Sequence, residues 1–395
     1  MARKQKRLAP EPRLIITTAE LEDVVGRLIL EPYVTVDTEF LREHTYWPQL
    51  CLVQLAGQEE VVLIDAEAPG IDLSPLVKLF DAPDVVKVFH AARQDLEIFL
   101  HLFDRLPAPI FDTQVAAMVA GYGDQVGYDN LVGAITGAVI DKSHRFTDWS
   151  YRPLSEAQLV YAAADVTHLR DVYEELRSQL EKEGRTAWVA AEQEALSDPD
   201  RLRVDPERQW ERIRARTSNR RMLGVLRAVA AWREREAQNS NIPRQRMLKD
   251  ESVLEIAATQ PKTIADLARV RGVPRGFAEG KHGNALLAVI AAARALPDAE
   301  LPVAAKARPA DAARPSSAMV ALLKVLLATK CEACNVAPRL VASAEDIDRF
   351  ALDASPDLPL LQGWRREVFG KDALALRNGE VALAVRDDRI VLLPV

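Results

Sequence analysis

Val36-Asp37-Thr38-Glu39-Phe40 ends a short run of β-branched and aromatic residues that begins at Tyr33. Tyr33 to Val36 reads as a strand, and a strand's period of two puts Asp37 and Glu39 on one face. Strand interiors disfavour Asp, so an acidic pair at the end of an apolar strand calls for a reason: solvent, or a cation. Working outward, Leu14 to Thr17, Leu50 to Leu55, Val61 to Ile64 and Val85 to Phe89 are further short strands bounded by turn residues. Thr18, followed by Glu20 and Leu21, predicts a helix start between the first two strands, and Ser74 to Phe80 a second short helix. From Ala92 the helical period takes over. Leu96, Phe99, Leu100 and Phe103 make one apolar stripe, and Leu159, Ala163, Val166, Leu169 and Tyr173 another. Strands first and helices later, with helices interleaved, imply an α/β mixed sheet flanked by helices.

Two further acids stand on predicted helices. Asp95 opens the helix after the fifth strand, where a negative charge near the positive end of the dipole is favourable in its own right. Tyr161 and Asp165, four apart, share a face of a helix that starts at Ser155-Glu156 and runs to about Glu183. Asp165 lies among Ala162, Ala163, Ala164 and Val166, a small apolar setting that leaves a carboxylate in need of a partner. A metal ion would serve, and so would a salt bridge, with Arg170 among the candidates. Taken singly, each acid has a plain structural reading; the set becomes specific only together.

The 395 residues suit two or three domains, and a hydrophobic content of 48% supports real cores. The net charge of −7 is unevenly spread. Residues 201–250 hold 14 Lys/Arg against 6 Asp/Glu, so the remainder carries −15. Such a split fits a protein that handles an anion in one place and cations in another. Three cysteines make no disulfide framework and suggest the cytosol; Cys331 and Cys334 form a lone CxxC without further ligands following it, which reads as helix-end cysteines. The basic start, Met1 to Arg7, leads into Pro10 and Pro12 rather than an apolar signal core, and no run is long enough to span a membrane. Ser197-Asp198-Pro199-Asp200 and Asp205-Pro206 punctuate the end of a first domain, taken as 1–200. A helical domain, 207–297, has core candidates Leu223, Leu226, Val229, Trp232, Leu254, Ile256, Leu267, Leu286 and Ile290. An Ala/Pro-rich linker, 298–317, leads to a last helical domain, 318–395, ending in a possible hairpin of Val381 to Val385 with Arg389 to Leu393.

The flanks of the acids supply a family resemblance. Val36 to Phe40, then Tyr46-Trp47-Pro48-Gln49-Leu50-Cys51-Leu52-Val53-Gln54-Leu55, then Phe89-His90-Ala91-Ala92-Arg93-Gln94-Asp95-Leu96, then Phe146-Thr147-Asp148-Trp149-Ser150 and Tyr161 to Leu169 resemble, in order, ribonuclease D. That family belongs to the DEDD exonucleases with tyrosine in the third motif. The resemblance covers most of residues 13–185 and implies an RNase H-like sheet with a two-metal site. Arg227 to Ala237, Ile242-Pro243-Arg244 and Leu248-Lys249-Asp250-Glu251 are similar to the helical HRDC module that follows the nuclease in this family. The last segment is expected to be a second, more divergent HRDC-like module.

By that resemblance Asp37, Glu39, Asp95, Tyr161 and Asp165 are catalytic. Asp37, Glu39 and Asp165 hold the metal that carries the attacking water, Asp37 bridges to a second metal, and Asp95 supports that second site. Carboxylate ligands suit Mg²⁺ or Mn²⁺. The resemblance gives Tyr161 two roles, orienting the attacking water and helping to deprotonate it, of which an ordinary tyrosine pKa near ~10 favours orientation. Phe40 is a candidate to stack on the terminal base, and His90 and Gln94 to touch ribose or phosphate. Arg212, Arg214, Arg216, Arg220 and Arg221 form the densest basic stretch and are candidates to track a phosphate backbone. The implied activity is 3′→5′ exoribonuclease action on structured RNA ends, tRNA precursors by resemblance, releasing nucleoside 5′-monophosphates. The alternatives are a DNA exonuclease of the same type and a non-catalytic RNA-binding scaffold. No nucleotide cofactor is expected: Arg275 ahead of Gly280-Lys281 and Arg365 ahead of Gly370-Lys371 stand where a Walker A loop needs glycine.

Overall fold

Six strands form between residues 12 and 112: β1 Pro12–Ile15, β2 Tyr33–Leu41, β3 Gln49–Ala56, β4 Val61–Asp65, β5 Val86–Phe89 and β6 Ile110–Asp112. The computed structural model describes residues 11–303, 315–355 and 357–395; the basic start and residues 304–314 of the Ala/Pro-rich linker lie outside the described residues. The sheet order is β1-β4-β3-β2-β5-β6. β1 runs parallel to β4, β5 runs parallel to β2 and β6, and β3 is antiparallel to β4, so the sheet is mixed, as expected.

Parallel neighbours need crossovers, and helices supply them. Between strands lie α1 Thr18–Leu28, α2 Pro75–Phe80 and α3 Arg93–Phe103; after β6 come α4 Thr113–Val119, α5 Tyr128–Thr136, α6 Glu156–Lys182 and α7 Thr186–Gln193. Thr17 caps α1, and a full capping box of Ser155 with Gln158 starts the 27-residue α6. Two expectations are adjusted. β2 continues past Val36 to Leu41, so Asp37 and Glu39 lie inside the strand. β6, only three residues long, is too short to show a period in sequence.

Contacts divide the chain into two units. The first holds the sheet, α1 to α7 and the C-terminal segment. That segment includes helices Ser317–Cys334, Ala344–Leu352 and Lys371–Asn378 and the antiparallel hairpin β7 Val381–Arg386 and β8 Arg389–Pro394. Leu323, Leu326, Phe350, Leu360 and Phe369 give it its own core. It docks on α7: the Trp188 and Trp364 rings stack at 4.7 Å, and Arg365 bonds Glu192 at 2.6 Å. Cys331 is buried in this core, which pushes its thiol up to about 12, and Cys334 is half-buried.

The second unit gathers Phe40–Gln49 with the helical segment that starts at Arg203. Of the nine expected core residues, eight are buried and Leu254 is half-buried against them. Tyr46 donates its hydroxyl to the buried Glu234, and the Trp47 amide donates to Asn241 at 2.9 Å.

Candidate active site

Residues 33, 35, 37 and 39 of β2 share one face. Two of them tie that face to α6: the Tyr33 hydroxyl donates to Glu174 at 2.7 Å, and the Thr35 hydroxyl to the Val166 carbonyl at 2.8 Å. The next position on the strand is Asp37, and the residue before Val166 is Asp165. From α5, Tyr128 donates its hydroxyl to the Asp165 carbonyl. On the opposite pleat of β2, Thr38 donates to Asp95 Oδ1 at 2.5 Å and so ties the first turn of α3 to the same stretch of strand.

All four acids have raised pKa values, and Glu39 feels all three of the others. Asp95 and Asp165 are buried, and Asp37 and Glu39 half-buried. Burial, then the charge of Asp165, raises the Asp37 pKa well above the carboxylate range. Glu39 is pushed up to about 10 by burial and by Asp37, Asp165 and Asp95. Asp95 is raised by burial and by Asp37. Asp165 is raised by burial to about 7, a rise that the Tyr161 hydroxyl it accepts from and the charge of Arg145 both oppose. Tyr161 is itself raised by burial and by Asp165, Glu39 and Asp37, so it stays a neutral phenol and a donor. The four carboxylates thus occupy a single electrostatic neighbourhood. Arg170, the alternative partner for Asp165, lies over the Tyr33 ring at 4.9 Å instead.

The family models match in two places, a 3′-5′ exonuclease over residues 12–181 and an HRDC domain over 222–290. A ribonuclease D of Gluconacetobacter diazotrophicus is 66% identical across the full length of both chains. One of Granulibacter bethesdensis is 61% identical over all of this chain and 99% of that one. The chain belongs to the ribonuclease D family. The crystal structure of Escherichia coli RNase D, titled an exoribonuclease involved in structured RNA processing, superposes with a TM-score of 0.78 at 30% identity. It covers 93% of this chain and 98% of that one.

In this family member the exonuclease fold implies divalent-metal catalysis. The donor set fits a hard cation: these are oxygen donors whose ionised form burial and neighbouring acids disfavour, and a divalent cation would favour that form. Among the described residues no three Asp, Glu, His or Cys side chains are already closed on one point as ligands. Among the described residues, no helix is long and apolar enough to cross a membrane.

The other expected site residues fare differently. Phe40 continues β2 and is half-buried; Gln94 is exposed in the first turn of α3. His90 is held internally: its Nδ1 pairs with the Thr113 hydroxyl at 3.0 Å, its ring meets Tyr128 at 5.4 Å, and burial lowers its pKa. Arg220 and Arg221 are also spoken for. Arg220 donates to the carbonyls of Asp298 and Leu301, and Arg221 to those of Arg294 and Leu296 and to the Asp298 carboxylate. Arg212, Arg214 and Arg216 are exposed.

Sequence reading missed Thr38 and Arg145. Thr38 was legible only as the middle of Asp-x-Glu. Arg145 sits in the loop before α6, which is anchored by Arg152 to Asp65 at 2.6 Å and by Gln158 to Thr147 at 3.3 Å. The Trp149 ring of that loop lies 6.0 Å from Tyr161. Nothing in the loop's sequence announces that its arginine faces the acids.

Proposed function

We propose that Asp37, Glu39, Asp95 and Asp165 hold two divalent cations, Mg²⁺ or Mn²⁺, and that Tyr161 completes the site. The chain is a 3′–5′ exoribonuclease, and the proposed products are nucleoside 5′-monophosphates released from structured RNA ends, tRNA precursors among them. The supporting observation is the gathering of four acids, from β2, α3 and α6, in one place where each has its pKa raised. Bound cations would offset the anionic charge of the phosphodiester and stabilise the leaving 3′ oxygen.

The protein's own contribution is positional. The Thr35–Val166 and Tyr33–Glu174 bonds fix α6 on β2, and Asp37 feels the charge of Asp165 without any ligand. Tyr161 remains protonated, so it orients a water by hydrogen bonding and does not act as the base. Arg145 brings positive charge to the same place and is available to the scissile phosphate. Phe40 and Gln94 remain proposed contacts for the terminal nucleotide. In the second unit, Arg212, Arg214 and Arg216 are proposed to track the RNA backbone. The C-terminal segment is proposed as a second HRDC-like module, within the boundaries 1–200, 207–297 and 318–395.

Matched RNA and DNA duplexes with 3′ overhangs, incubated with Mg²⁺ or Mn²⁺, test the reading. Stepwise shortening of RNA from the 3′ end with monophosphate release is the expected result. Faster shortening of DNA would favour the DNA exonuclease reading, and binding without cleavage of either would favour a scaffold.

A further inference from the structure

Asp112 is almost wholly buried, at 2% exposure, and forms no ion pair among the described residues. Four backbone N–H groups hold its carboxylate instead. Two belong to α4, which it caps: Gln114 at 2.8 Å and Val115 at 3.4 Å. The other two belong to the turn between β5 and α3: Ala91 at 3.1 Å and Ala92 at 2.9 Å. A side chain that only capped α4 would have no need of the second pair.

That turn delivers Asp95. Ala92 is the N-cap residue of α3, and Asp95 stands three residues on. Ala92 has no side-chain oxygen, and α3 has no side-chain cap; Asp112 instead holds the amides of Ala92 and of Ala91 before it, the two residues that lead into the helix. Ala91 adopts φ +57°, the left-handed region an alanine avoids, and needs an external restraint to stay there. Thr113 adds a second tie by donating to the Phe89 carbonyl at 2.9 Å. Behind Asp112, Gln193 at the end of α7 donates to its backbone carbonyl at 3.1 Å. α7 is the helix on which the C-terminal segment docks through Trp188 and Glu192.

We propose that Asp112 is a positioning residue: by clamping the strained Ala91–Ala92 turn it sets the place of Asp95 in the metal site, with Gln193 bracing it from α7. The proposal rests on the reading of Asp95 as a metal-site carboxylate.

The test is a Mg²⁺ titration of the full-length chain, followed by the rise in melting temperature without RNA and by cleavage rate. Asp112→Asn is expected to raise the Mg²⁺ midpoint by about tenfold in both readouts while the KM for RNA stays within about twofold. Adding Ala91→Gly to that variant is expected to recover most of the midpoint, because glycine takes the left-handed turn unaided. Gln193→Leu, a second variant if Asp112→Asn fails to fold, is expected to raise the midpoint about threefold, a partial loss of the same support. If the Asp112 or Gln193 variant melts lower but keeps the parental midpoint, while Asp95→Asn shifts it, the positioning role is overturned and the site stands. If Asp95→Asn leaves the midpoint unmoved, the ligand reading falls and this proposal with it.

Discussion

Each unit withdraws a charged cluster from water, and the two are built on opposite rules. In the second unit, Arg233 is 1% exposed and Glu234 fully buried. Arg233 bonds the Leu248 carbonyl and Asp250, both at 2.8 Å; Glu234 accepts from Tyr46 and lies 3.6 Å from Arg244. Despite partial burial, Asp250 is held below its usual range by the bonds from Arg233 and Gln245. In the first unit, burial raises the pKa values of Asp37, Glu39, Asp95 and Asp165, the first three are raised further by acids of the same set, and Arg145 opposes the rise at Glu39 and Asp165. A balanced cluster secures a fold; an unbalanced one stores repulsion that a ligand can relieve. The contrast supports the unbalanced cluster of the first unit as the proposed site more sharply than burial alone would.

The largest effect should come from the unbalanced cluster. Asp37→Asn is expected to slow RNA hydrolysis by about a thousandfold or more at saturating Mg²⁺, with RNA affinity little changed. Comparable rates for variant and parent in single-turnover assays would refute its place in the site. Next comes the balanced cluster. Arg233→Met should destabilise the fold by about 2–3 kcal/mol in denaturant melts, since it strips partners from Asp250 and the Leu248 carbonyl, Asp250 being partly exposed. An unaltered unfolding midpoint would dissolve the contrast.

The same contrast extends to pH. Asp165 and Glu39 have folded pKa values of about 7 and about 10, both above their unfolded values of ~4. Without a divalent cation the folded chain therefore holds more protons than the unfolded one in this window. Stability is greatest below about pH 4 on their account and is lost as pH rises through about 7 and toward 10. The melting temperature in chelator should fall between pH 5 and pH 8, and saturating Mg²⁺ should flatten that fall. Asp165→Asn should melt higher than the parent at pH 8 in chelator, the reverse of Arg233→Met. The smallest effect concerns the exposed arginines. Replacing Arg212, Arg214 and Arg216 together by Gln should weaken RNA binding at low salt and lower the salt slope by roughly two units. Arg221→Gln should instead cost stability, because its guanidinium closes the Arg294–Asp298 turn.

The acids were legible in sequence because each sits in a strong local pattern: the end of an apolar strand, a helix start, an alanine-rich helix face. The mixed sheet was legible for the same reason, since β2 to β5 are long enough to show their period. β6 was not, at three residues, yet it carries Asp112. Arg145 and Asp112 act across distances that no local pattern encodes, one from an irregular loop and one through backbone amides. Arg220 and Arg221 looked the same as their exposed neighbours, because composition cannot tell a guanidinium bonded to carbonyls from one facing water.

Diffraction from crystals soaked in Mn²⁺, recorded at a wavelength where manganese scatters anomalously, tests the central claim most directly. Anomalous peaks bonded to Asp37 and Asp165 carboxylate oxygens at about 2.1–2.2 Å are the predicted result. Manganese bound elsewhere, with those two side chains left without metal at saturating concentration, would contradict it.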